Sequence, residues 1–226
     1  MKTFLSIDMD FWNGRDCFEE TIPDQVYGYL NRLCSDLKNR RIPMSAVMNH
    51  QQMLRMVNNS KANTLINIDM HSDLASSEVQ VLNCGTWVSY VKWRRQAGHY
   101  LWLHRHSAWH GECNLGDDMG GPIFEENSIV RRSMTDWGVI QHRKVKRAPQ
   151  WAWLKKRNPV EFSLVLSPHY VDRDLEPVFR QIVKDFRLPY IKGIRHEQHA
   201  RQDVRPPFRD TVRYAHDFAA YDLLPA

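Results

Sequence analysis

Thr64-Leu65-Ile66-Asn67-Ile68-Asp69-Met70-His71-Ser72-Asp73 is an apolar run that closes on an alternating acid, imidazole and acid. The stretch 64–69 reads as a buried strand, because it is short, β-branched and free of charge until its last residue. An extended chain sends residues i, i+2 and i+4 to the same side. Asp69, His71 and Asp73 are therefore expected to converge beyond the strand's carboxyl end, where open α/β sheets place their ligand sites. Two hard carboxylates and one imidazole suit a divalent metal such as manganese, iron(II) or zinc. Without a cation the same groups are costly, since neighbouring carboxylates cannot all stay ionised cheaply. A polar loop is the plainer reading of an isolated Asp-x-Asp, but the intervening histidine and the preceding apolar run favour a metal.

Two further elements share this design. Thr3-Phe-Leu-Ser-Ile-Asp8-Met-Asp10 is an apolar run ending in alternating carboxylates, and Pro43-Met-Ser-Ala-Val-Met-Asn49-His50 is a short one closing on a histidine. Singly, each is weak, because a lone histidine after a strand is more often a hydrogen-bonded loop residue. Together they supply Asp8, Asp10, His50, Asp69, His71 and Asp73 from three strand ends. Parallel neighbours in one sheet would bring those ends within a few ångströms of one another.

The rest of the chain alternates strand and helix. The spacing of Val26, Leu30, Leu33 and Leu37 predicts a helix over about 24–40, and a second is expected over about 51–58. Trp87, Tyr90, Val91 and Trp93 suggest a third that ends near Gly98, followed by a strand 100–104. Residues 161–167 read as a strand and 174–187 as a helix, with a polar, proline-broken tail from His196. Strand, helix and strand in repetition argue for a parallel sheet covered on both faces. With 226 residues the chain is expected to form one domain, 1–226, in which 111–160 is a loop-rich basic insertion or lid. The early acid at Asp8 argues against a signal peptide, and no apolar run reaches the roughly eighteen residues of a membrane span. Cys17, Cys34, Cys84 and Cys113 contain no Cys-x-x-Cys pair and read as reduced thiols of a cytoplasmic protein. Cys84 beside the site could serve as a nucleophile, although a semi-buried structural thiol is the plainer reading.

The formal charge of +5 is concentrated in Arg131-Arg132, His142-Arg-Lys-Val-Lys-Arg147 and Lys155-Lys-Arg157, interleaved with Trp137, Trp151 and Trp153. Cations with aromatics can clamp phosphates and stack bases, which leaves nucleic acid open as a partner. A solvated face whose tryptophans cover the edge of the core is the favoured alternative. A lid that recognises an anionic substrate is the third.

The motif set resembles the arginase, agmatinase and histone deacetylase superfamily, and within it an uncharacterised arginase-like branch. The resemblance rests on Met48-Asn49-His50-Gln51, Asp69-Met-His71-Ser-Asp73, Gly85-Thr-Trp87-Val, His99-Tyr-Leu-Trp102-Leu-His104 and Ser107-Ala-Trp109, and covers roughly residues 1–110. It implies a three-layer α/β/α fold. It also implies a two-metal site, most simply two Mn2+ with Zn2+ or Fe2+ as alternatives. His50, Asp69, Asp73 and Asp8 would hold one ion, His71, Asp69, Asp8 and Asp10 the other, with Asp69 and Asp8 shared. The Ser-Ile-Asp-Met-Asp strand stands first here, whereas the family carries it after the other motifs, so the resemblance implies a circular permutation. Such a change is tolerable because ligands need only meet in space. Phe11-Trp12-Asn13-Gly14 replaces the Asp-Pro that arginases place after the acid pair, which bears on guanidino specificity more than on the metals.

The expected activity is hydrolysis of a non-peptide carbon–nitrogen bond of a small molecule, guanidino or amide, by a metal-activated hydroxide. A proton must reach the leaving amine, and His104, His106 and His169 are the candidate acid/base groups. Asn83 is the candidate substrate contact. A partner-binding protein with a structural metal, or a two-metal phosphoester hydrolase, is the alternative.

Overall fold

The structure is a computed structural model that describes residues 1–12, 22–73, 85, 87–92, 98–104, 129–130, 139–145, 147–168, 170–191 and 223–224. Its strands are β1 (Thr3–Asp8), β2 (Met44–Val47), β3 (Thr64–Ile68), β4 (His99–His104), β5 (Ile129–Val130), β6 (Val139–Lys144), β7 (Pro159–Val165), β8 (Tyr190–Ile191) and β9 (Leu223–Leu224). Its helices are α1 (Pro23–Asn39), α2 (Leu54–Asn59), α3 (Trp151–Lys155) and α4 (Glu176–Phe186). The strands form one sheet in the order β5-β6-β4-β3-β1-β7-β2-β8-β9. From β6 across to β8 every neighbouring pair is parallel, and only the edge strands β5 and β9 pair antiparallel. The expected mainly parallel α/β fold is thus observed.

Alternation along the strands divides the core in two. Leu5 and Ile7 of β1, Ile66 and Ile68 of β3 and Leu164 of β7 face α1 and α4, where Leu30, Leu37, Phe179 and Ile182 are buried. Phe4, Leu65, Tyr100 and Trp102 face the other way, against Met53, Val57 and Trp87. Residues of the second parity continue to Ser6 and Asp8 on β1 and to Asn67 and Asp69 on β3. The carboxylates therefore stand at the carboxyl edge of the sheet on the side covered by α2 and Trp87.

Several boundaries shift for local reasons. The helix expected over 51–58 begins as a 3-10 turn, His50–Met53, before α2 takes over. Gln52 Oε1 accepts the backbone N–H groups of both Met48 and Asn49 at 2.9 Å, and this local bonding holds the tight first turn. Around Trp87 the described residues form a 3-10 turn, Trp87–Tyr90, where a helix to Gly98 was expected. His142, Arg143 and Lys144 stand on β6, a strand parallel to β4, rather than in a loop. Ladder bonds to β4 satisfy backbone groups that composition alone assigns to solvent. Pro159 opens β7, the position in a strand that proline tolerates.

The largest correction concerns strand order. β1 and β3 are neighbours, but β2 is separated from β1 by β7. β7 is contributed by residues 159–165, more than a hundred positions after β1, and no local signal announces that insertion. His50 consequently reaches Asp8 across the end of β7 rather than from an adjacent strand.

Candidate metal centre

β1 ends at Asp8, and the chain turns through the 3-10 segment Met9–Trp12, which buries Asp10. The Asp10 N–H donates to Asp8 Oδ1 at 2.9 Å, so the turn itself aims the Asp8 carboxylate. After β3, the His71 N–H donates to Asp69 Oδ1 at 2.8 Å and folds the chain back in the same manner. Asp73 adopts a left-handed φ of 53°, tolerable for an aspartate, and this swings its carboxylate inward.

All six expected ligands come together. His50 Nδ1 lies 3.1 Å from Asp8 Oδ2, 3.3 Å from Asp69 Oδ2 and 2.9 Å from Asp73 Oδ2. His71 Nδ1 lies 2.9 Å from Asp10 Oδ2 and 3.8 Å from Asp69 Oδ1. Asp8, His50 and Asp69 form one group whose ligand atoms lie within 4.8 Å of one another, and Asp10, Asp69 and His71 form a second. Asp69 belongs to both, and Asp8 stands in the His50 group only.

A cation fits this donor set. One imidazole nitrogen faces three carboxylate oxygens, and a single N–H cannot satisfy three anions. Asp8, Asp10, Asp69 and His50 are each 2% exposed or less, so water does not neutralise the surplus. Buried charge left uncompensated is expensive. These groups could hold a metal ion.

The proton equilibria carry the same strain. Burial, then the negative charge of Asp10, pushes Asp8 up to about 7 against the pull of His50 and Ser167. Burial and the charges of Asp73, Asp10 and Asp8 hold Asp69 well above the ordinary carboxylate range. For Asp10 burial acts upward, but the hydrogen bond and charge of His71 outweigh it and leave the group below its usual value. Burial likewise acts to lower His50, and the charges of Asp73 and Asp8 reverse it, so the imidazole sits above its usual range.

A surrounding layer of donors, not anticipated as part of the site, fixes the ligands. The Ser167 hydroxyl, beyond β7, donates to Asp8 Oδ2. Ser167 is itself left-handed, with a φ of 49°, and its N–H bonds Met48 O at 2.9 Å. Backbone strain of this kind persists where surrounding structure imposes it, commonly at functional sites. Asn67 Nδ2 donates to Asp69 Oδ2 at 2.8 Å. Trp102 Nε1 reaches Asp69 O at 3.0 Å, and the Tyr100 hydroxyl reaches Ser72 O at 2.5 Å. Trp87 donates its indole N–H to Asp73 Oδ2 at 2.5 Å while its ring stacks on His50 at 5.3 Å between centroids. Asn67, Tyr100 and Trp102 lie at alternate strand positions pointing to the site's side, a parity legible in the sequence. Nothing local assigns Ser167 a role at the site.

His104 ends β4 on that same side; it is buried and its ring stacks on Trp102 at 4.3 Å. Asn83, His106 and His169 lie outside the described residues, as do Cys17, Cys84 and Cys113; Cys34 is free and buried. At the solvent side, His71 keeps 16% exposure and meets the edge of Tyr170 at 5.1 Å.

Replacement of Trp87 by phenylalanine tests the surrounding layer. It retains a ring against His50 but removes the donor to Asp73, and metal affinity should fall about 10- to 100-fold, as for other outer-layer partners. Calorimetric titration of the metal-free protein measures it, and an unchanged affinity would remove Trp87 from the site.

Comparison with known proteins gives no match to any family model, to any curated protein or to any solved structure.

Proposed function

We propose that this chain is a metal-dependent hydrolase of a non-peptide carbon–nitrogen bond, acting on a small guanidino or amide compound. The supporting observation is the union of two buried Asp/His groups through one carboxylate, Asp69. Asp8, His50, Asp69 and Asp73 would hold one ion, and Asp10, Asp69 and His71 a second. Four hard carboxylates to two imidazoles favour Mn2+, with Fe2+ and Zn2+ next. Ions held by these residues would supply a nucleophile from water near neutral pH and Lewis-acid polarisation of the substrate's C=O or C=N group.

The chain's own residues do the rest. Ser167 and the Asp10 N–H hold the Asp8 carboxylate in one orientation. Trp87 and Asn67 do the same for Asp73 and Asp69. Solvent and substrate approach on the side of His71 and Tyr170, because the His50 side is closed by Trp87. His104 is the described candidate for returning a proton to the leaving amine. The likeness to arginases, agmatinases and deacetylases supports this reading on motif residues alone. The free Cys34 accords with a reducing, cytoplasmic setting.

The test is elemental analysis of the purified protein, followed by a Mn2+-supplemented screen of guanidino, amide and phosphoester compounds. Bound divalent metal and chelator-sensitive release of urea, ammonia or an amine are expected. Turnover of phosphoesters alone, or a protein that never retains metal, would overturn the proposal.

A further inference from the structure

The opposite pole of the sheet, where the parallel strands begin, gathers exposed cations from four separate segments. Lys2 precedes β1, Arg40 and Arg41 precede β2, Lys61 precedes β3, and Lys156 and Arg157 precede β7; all six are exposed. Backbone bonds tie these segments together. The Asn63 N–H donates to Lys2 O at 2.9 Å, the Thr3 N–H to Asn158 O at 3.1 Å, and the Phe162 N–H to Pro43 O at 3.0 Å. The Thr3 hydroxyl also donates to Arg157 O at 2.5 Å.

Helix ends do not absorb this charge. A helix carboxyl terminus presents about half a negative charge, and Lys38 in the last turn of α1 and Lys155 in that of α3 already answer it. The acids within these segments are Asp36 and Glu161, both partly buried. Among the described residues, none of the six cations takes part in a salt bridge. Like charges held together without counter-charge repel, so the pole is built to meet an anion.

We propose that this pole docks on the phosphate backbone of duplex DNA. The starts of β2, β7, β1 and β3 span three strand spacings, about 14 Å, close to the roughly 12 Å width of a duplex major groove. Cations at the two ends of the row can thus reach phosphates on both sides of a groove. Trp151 and Trp153 are covered by guanidinium groups, Arg40 at 5.7 Å and Arg157 at 4.5 Å from the ring centroids. Base stacking is therefore not the mode, and binding is independent of sequence. An anionic membrane fits less well, because the large apolar side chains exposed among the described residues are Met1, Ile22 and Tyr170, and only Met1 lies at this pole.

Fluorescence anisotropy of the full chain with a labelled duplex of about two helical turns tests the surface. With four to six phosphate contacts, log affinity should fall against log salt with a slope of about −4 to −5. Replacing Arg40, Arg41, Lys156 and Arg157 together by glutamine should flatten that slope by about 3 to 4. Arg55→Gln with Arg173→Gln, both exposed and away from the pole, should leave it unchanged. Thermal melting of the fourfold variant, whose changes are all at exposed positions, separates lost contacts from lost fold. Absence of salt-dependent binding, an unchanged slope in a folded fourfold variant, or binding to phosphatidylserine vesicles or polyglutamate in preference to the duplex would overturn the proposal.

Discussion

Replacing Asp69 by alanine is expected to give a folded protein that binds no divalent metal in either half of the centre. Asp69 is the one residue common to both ligand groups, so its loss leaves each half a donor short. Asp10→Ala should instead abolish only the half built around His71, which makes the two stoichiometries distinguishable by elemental analysis. The fold should survive the Asp69 change because the site-side backbone bonds do not use its carboxylate alone. Trp102 holds the Asp69 carbonyl, and the Asp69 N–H bonds Leu103 O at 3.0 Å. Burial and the charges of Asp73, Asp10 and Asp8 all oppose ionisation of Asp69, so its removal relieves that conflict as pH rises, and the metal-free variant should melt no lower than the metal-free parent in alkaline solution. Retention of full metal content by Asp69→Ala would show that the cluster is not a metal centre.

Removing the metal should produce a protein whose stability falls as pH rises, the reverse of its behaviour when loaded. Asp8 titrates near 7 in the folded chain and near its ordinary 3.8 when unfolded, and Asp69 is displaced in the same direction. A carboxyl raised on folding holds its proton more tightly in the native state, so its contribution is present below the unfolded value and lost as pH climbs to the folded one. For Asp8 the window runs from about 4 to about 7, and the loss is on the order of 4 kcal/mol at most. His50, raised above 6.5, extends the decline beyond that window as it gives up its proton. Asp10, lowered on folding, acts oppositely, but its contribution is already complete above its unfolded value. Metal binding requires the deprotonated ligands, so added Mn2+ should stabilise strongly at pH 7.5 and little at pH 5. Melting curves over this range, with chelator and with Mn2+, measure both trends. A melting temperature indifferent to metal at pH 7.5 would count decisively against the site.

Much of the centre was legible because its ligands obey local periodicity. Asp8 and Asp10 follow one strand, Asp69, His71 and Asp73 another, and the two-residue repeat of extended chain puts each set on one side. The same parity governs Asn67, Tyr100 and Trp102, although nothing in their local pattern gave them a role at the site. Ser167 was not legible, since its role depends on β7 lying between β1 and β2 and on a left-handed turn. The strand at 139–144 was hidden for a related reason. Its cations and polar residues lack the apolar pattern by which the other strands are read, and only backbone pairing with β4 makes it a strand.

Local chemistry, then, determined on its own which Asp and His side chains gather into groups that could hold a metal ion, that β1, β2, β3, β4 and β7 are strands and that the sheet is largely parallel, because alternation and helical spacing are properties of short segments. Which strand lies beside which was decided by tertiary structure alone. Strand order is set by how α1, α4 and the crossover segments pack on the two faces, and contacts between residues a hundred positions apart leave no mark in local pattern. That order places β7 under the bond from Ser167 to Asp8 and stacks Trp87 on His50. It also brings Lys2, Arg41, Lys61 and Arg157 to one pole of the sheet, as far from the acids as the strands are long.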